Sequence, residues 1–120
     1  MGKRILVVDD AMFMRKMLSD ILNNAGHEVV GEAENGKDAL RKYRELKPDI
    51  VTMDITMPVC NGIEGVKLIK DEFPNAKILM VSAMGQENMV VDSVKSGAQG
   101  FIVKPFDRDK IVMTIERLTK

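Results

Sequence analysis

The sequence predicts an α/β protein in which an open, mostly parallel sheet is covered by helices on both faces. Two observations predict it. Short apolar runs alternate five times with segments of helical periodicity, and the connections between them are short. The first, third and fourth of those runs are apolar almost without interruption, as strands buried on both faces must be.

KRILVV is the first strand. In AMFMRKMLSDILNNAG, Met14, Met17, Leu18, Ile21 and Leu22 recur at helical spacing, and Gly26 is the stop. EVVGEAE is the second strand. Asn35 caps NGKDALRKYREL, whose Ala39, Leu40, Tyr43 and Leu46 share a face, and Pro48 ends that helix. DIVTMD is the third strand, followed by the loop MPVCNG. Ile63, Val66, Ile69 and Phe73 mark a third helix, stopped by Pro74. KILMVSA is the fourth strand, and QENMVVDSVKSGA the fourth helix, with Gly97 at its end. GFIV is the fifth strand. Asp107 caps the last helix, DRDKIVMTIERLTK, along which Ile111, Val112, Ile115 and Leu118 are apolar. In the fourth helix Met89, Val90 and Val91 are consecutive, and successive residues point about 100° apart. A buried stripe of Val91, Val94 and Ala98 leaves Met89 or Val90 at the rim or in solvent.

Composition narrows the class. The 120 residues fit one domain, with 45% hydrophobic and 30% charged residues. A net charge of zero argues against a nucleic-acid footprint, and no apolar run reaches a membrane span. The N-terminus has no signal-peptide cleavage site. Cys60 is the only cysteine, so neither an internal disulfide nor a cysteine metal cluster can form, and a cytoplasmic location is the default.

Ligands of an open parallel sheet bind beyond the carboxyl ends of its strands. Strand one ends in Asp9 and Asp10, strand three in Asp54, strand four in Ser82 and Ala83, and strand five in Lys104 before Pro105. Strand two adds only Glu32 and Glu34, read as solvated. Any one strand-end acid is most simply a solvated end. Three together repel one another, and a hard divalent ion such as Mg2+ removes that cost. Carboxylates, Mg2+, a hydroxyl and a lysine make a site for a phosphoryl group, with Asp54 a plausible nucleophile because carboxylates form acyl phosphates.

VVDD at Val7 to Asp10, MDITMP around Asp54, Asn61-Gly62, VSA with Ser82 and VKPF with Lys104 follow one another in the order of a known pattern. Over its whole length the chain resembles the receiver domain of two-component response regulators. DDAMFMR, SAMGQ and FIVKPF resemble in particular the CheY-type single-domain regulators of chemotaxis. The resemblance implies one receiver domain over residues 1–120 and a flavodoxin-like (βα)5 doubly wound fold with strand order 2-1-3-4-5. It implies a phosphoryl group taken from a histidine kinase by Asp54. Asp10, Asp54 and the Thr56 carbonyl become Mg2+ ligands, and Asp9 reaches the ion through water. Ser82 and Lys104 hold the phosphoryl group, and Phe101 is an aromatic switch. The output face is the fourth helix, fifth strand and fifth helix, so Val90 beside Phe101 is expected to contact a partner, in chemotaxis a flagellar motor switch protein. A phosphatase is a further partner that such a regulator is expected to have. The chain is expected to be a monomer that catalyses only its own phosphoryl transfer and dephosphorylation. No output domain is expected after the fifth helix, so the chain is expected to act by changing what its surface binds.

Val59 and Cys60 depart from the family pattern, where an acid or methionine is common. Cys60 reads as a small apolar filler. Thr56 and Met84 occupy positions that influence phosphoryl lifetime, so the motif alone does not set that lifetime. His27, in a turn, is not expected to carry phosphate. A haloacid-dehalogenase-type phosphatase would want a second acid at Thr56, and a flavodoxin would not place acids in the loop after strand one. A phosphorelay intermediate is the runner-up within the family.

Overall fold

A computed structural model describes residues 2–83 and 85–120. Its elements alternate as expected: β1 (Arg4–Val8), α1 (Met12–Asn24), β2 (Glu28–Ala33), α2 (Gly36–Leu46), β3 (Ile50–Asp54), α3 (Gly62–Glu72), β4 (Ile78–Ser82), α4 (Glu87–Lys95), β5 (Gly100–Val103) and α5 (Arg108–Leu118). The strands form one parallel sheet in the order β2-β1-β3-β4-β5. Met84 lies outside the described residues.

Alternation along each strand divides the core in two. Leu6, Val8, Val51 and Met53 pack with Ala39 and Tyr43 of α2, Val66 and Ile69 of α3, and Val90 of α4. Ile5, Val7, Ile50 and Leu79 face the other way, onto Leu18 and Leu22 of α1 and Ile111 and Ile115 of α5. The three central strands are therefore buried on both faces, and Asp54 ends a strand with no exposed residue. Edge strand β2 is half-exposed along most of its length.

Local chemistry sets the helix starts. Asn35 accepts from the Asp38 N–H at 2.9 Å, and Asp107 from the Lys110 N–H at 2.8 Å. Asn61, placed in a loop by its turn chemistry, also forms a capping box with Glu64 at the start of α3. Gly62 follows because a Cβ there would sit 2.2 Å from the Asp54 carbonyl oxygen. The loop after β3 thus folds back tightly against the strand end that carries Asp54, and the Gly62 N–H donates to the Ile55 carbonyl at 2.7 Å.

The expected orientation of α4 needs correction. Val90 is buried at 8% exposure, whereas Val91 and Val94 are 51% and 47% exposed. The buried stripe is Val90 and Ser93, with Ala98 just beyond the helix. Ser93 is small, and its hydroxyl donates to the Val90 carbonyl at 2.7 Å, so a polar residue occupies the inner face without an unmet hydrogen bond. Counting apolar residues alone turned the helix by about one position, roughly 100°.

Candidate functional site

The ends of β1 and β3 lie side by side, since Val8 pairs with Met53 and Asp54 with Val81 of β4. Asp9, Asp10 and Asp54 therefore meet at the carboxyl edge, each offering an oxygen within 4.8 Å of the others. Asp9 and Asp54 are buried, and Asp10 is exposed. The ammonium of Lys104, just past β5, lies 3.4 Å from Asp54 Oδ1 and 3.7 Å from Asp9 Oδ2. The backbone fixes this reach, because the Lys104 N–H donates to the Ser82 carbonyl at 2.7 Å.

One lysine does not neutralise three carboxylates. Burial, then the charge of Asp9, pushes the Asp54 carboxyl up to about 6, and Lys104 opposes this by charge and hydrogen bond. Burial also raises Asp9, against the pull of the Ala11 N–H and Lys104. Asp9 Oδ1 already accepts from that N–H at 2.9 Å. Of the three acids, Asp10 and Asp54 thus carry the freer oxygens. An all-oxygen donor set with uncompensated negative charge suits a hard divalent cation such as Mg2+, and no sulfur or imidazole enters it.

The Ser82 side chain, one residue beyond the partner of Asp54 on β4, makes its hydrogen bond away from Asp54. The buried Ser82 hydroxyl donates to the Ile102 carbonyl over a long 3.4 Å. The Phe101 ring is half-exposed, and with Ser82, Ala83, Val90 and Val103 it lines a cavity of about 270 Å³. Val90 forms part of that wall from the core side, so the surface it was expected to offer belongs instead to Val91, Val94, Phe101 and Val103.

Two residues were missed. Arg15 is buried, its Nη1 donating to the Asp9 carbonyl at 2.8 Å and its Nε to Glu32 Oε1 at 2.9 Å. It shares the α1 face of Leu18 and Leu22, a spacing that an apolar-only reading passes over. Glu32 and Glu34 are exposed, as expected, yet both lie within ion-pair distance of this guanidinium. The second is Gln86, whose carboxamide nitrogen donates to the Thr56 hydroxyl at 2.6 Å. Thr56 itself is exposed at the start of the loop after β3.

The remaining expectations find their places. His27 is buried just before β2, at the opposite end of the strands from Asp54, accepting the Lys3 N–H on Nδ1 at 3.0 Å. Cys60 is buried, and burial pushes its thiol up, in keeping with a packed and unreactive side chain. Val59 beside it is 79% exposed at a φ of 69°, an unusual conformation for a β-branched residue. Among the described residues no helix is long and apolar enough to cross a membrane.

Known proteins align with this geometry. The response regulator receiver domain family matches residues 5–116. The chain is 58% identical over 120 residues to the chemotaxis protein CheY of Thermotoga maritima, covering all of both chains. It is 55% identical over 117 residues to the CheY of Bacillus subtilis, covering 98% of each. Among solved structures, a chain of the CheX–CheY–BeF3–Mg complex of Borrelia burgdorferi superposes with a TM-score of 0.92 at 38% identity. That match covers 98% of this chain and 89% of that one.

Proposed function

Because the chain belongs to the response regulator receiver domain family, we propose that Asp54 is its phosphoacceptor. At the level of its class, the protein is a phosphorylation-activated response regulator of chemotaxis. The observation that carries the acceptor assignment is the position of Asp54. It ends a fully buried central strand, with Lys104 3.4 Å away and two further acids in reach.

The donor is a phosphohistidine of a kinase. An Asp54 carboxylate oxygen attacks phosphorus, the P–O bond forms as the P–N bond breaks, and the imidazole leaves with the electron pair. Asp54 must be ionised to attack, and the Lys104 ammonium favours that form. Lys104 then lies close enough to pair with the transferred group. Asp10, Asp54 and the Thr56 carbonyl would hold Mg2+, with Asp9 behind water. The ion would offset negative charge on the phosphoryl oxygens.

The new charge recruits the Ser82 hydroxyl from its long bond to Ile102. The cavity behind Ser82 then admits the Phe101 ring, a two-state shift limited by the contacts that differ between the states. The surface so altered presents Val91, Val94, Phe101 and Val103, suited to an amphipathic partner segment, here a flagellar motor switch protein.

Binding of that partner, with and without beryllofluoride and Mg2+, tests the reading. The wild type should bind more tightly with beryllofluoride. Ser82→Ala should still take up phosphate from acetyl phosphate yet lose most of the gain. Val91→Asp should weaken binding at an unchanged melting temperature, whereas Val90→Asp should destabilise the fold by about 3 kcal/mol or more by burying a charge. An undiminished gain in Ser82→Ala would contradict the coupling.

A further inference from the structure

Gln86 lies directly before α4, where a side chain commonly caps the helix, yet its own makes no capping bond. Both ends of its carboxamide are used over the acidic edge instead. Oε1 accepts from the Ala83 N–H at 2.6 Å, and Nε2 donates to the Thr56 hydroxyl at 2.6 Å. Among the described residues this is the one side-chain hydrogen bond between the loop after β3 and the loop after β4.

Ala83 is the first residue past β4. Since Asp54 pairs with Val81, Ser82 and Ala83 are the next two residues outward along the neighbouring strand. A phosphoryl group on Asp54 also extends outward, and it brings oxygens that need donors. Besides Lys104 and the Ser82 hydroxyl, the Ala83 N–H is a donor on that edge, and a neutral amide oxygen already takes it.

We propose that Gln86 is a clasp on the phosphoryl site: its Oε1 holds the Ala83 N–H in the place of a phosphoryl oxygen, its Nε2 ties the β4–α4 loop to Thr56, and phosphorylation must release both. This rests on Asp54 being the acceptor. A phosphoryl oxygen displaces Oε1 because a charged acceptor makes the stronger bond to an N–H. The displacement is opposed by the loss of the bond to Thr56. Gln86 is thus a positioning residue that sets how readily the phosphorylated arrangement forms.

Calorimetric titration with beryllofluoride at saturating Mg2+ tests this, with melting temperatures recorded in parallel. Gln86→Ala frees the N–H and should tighten beryllofluoride binding by about fivefold, the worth of one neutral hydrogen bond. Gln86→Glu keeps an acceptor on the N–H and adds negative charge, so it should weaken binding by about tenfold. A purely structural tether would move both variants in the same direction, following the melting temperature. Thr56→Val removes only the partner of Nε2 and leaves the Thr56 backbone in place, so it should also tighten binding. It decides the matter if Gln86→Ala does not fold. Binding by the alanine or valine variant that equals or falls below the wild type overturns the clasp. If the wild type binds no beryllofluoride, or Asp54→Asn binds it equally well, the acceptor assignment fails first and takes the clasp with it.

Discussion

Asp54→Asn should lower phosphoryl uptake by at least about a thousandfold, the scale of removing a nucleophile outright. Acetyl phosphate and Mg2+ should add one phosphoryl group to the wild type, read as a mass shift, and none to the variant on the same timescale. The neighbouring acids do not substitute, for reasons visible in their surroundings. Asp9 has one oxygen held by the Ala11 N–H and the other directed to Lys104. Asp10 is exposed, and its carboxylate is not held against the lysine. Only Asp54 combines a rigid, buried strand end with an ammonium at 3.4 Å. Asparagine keeps the shape and replaces the nucleophilic carboxylate with a neutral carboxamide, so a folding defect does not cloud the result. Full labelling of the variant would show that the acceptor lies elsewhere.

Without a divalent cation, the protein should be more stable at pH 5 than at pH 8. In the fold, Asp54 takes up its proton at about 6, whereas in the unfolded chain an aspartate does so near about 3.9. Between these values the folded state holds a proton that the unfolded state has released. Stability is therefore lost as pH rises from about 4 to about 6 and is not regained above. Asp9, raised in the same direction, adds to the effect. The site is open to solvent on its Asp10 side, which screens the charges, so the Asp54 share is about 1–2 kcal/mol rather than the full value of the shift. Asp54→Asn should raise metal-free stability at pH 8 by that amount and flatten the profile. Mg2+ should stabilise the wild type at pH 8 and do so less in the variant. Denaturant unfolding at the two pH values, with and without Mg2+, measures all of this. A profile that rises with pH through this range would mean that the carboxylates do not strain the fold.

The chemistry of the site was legible because it is carried by residue types that strand ends display one at a time. Asp9, Asp10, Asp54, Ser82 and Lys104 each follow a short apolar run, and a parallel sheet brings all such ends to one edge whatever its loops do. Caps were legible for the same local reason, at Asn35 and Asp107, since a cap bonds to an amide three residues away.

What depended on packing at a distance was not legible. Whether Val90 or Val91 faces the sheet turns on a rotation of α4 by one residue. Ser93 decided it, by fitting against the core with its hydroxyl satisfied within its own helix. Arg15 drew no notice because nothing in its own helix shows that the Asp9 carbonyl and Glu32 accept from its guanidinium. Gln86 and Thr56 are thirty residues apart, and neither predicts the other. Periodicity and the residue that ends each strand were enough to set the alternation, the parallel sheet and the acids, hydroxyl and lysine at its edge. Which side chains turn inward and which reach across loops emerged with the packed fold, because such contacts join residues with no local pattern in common.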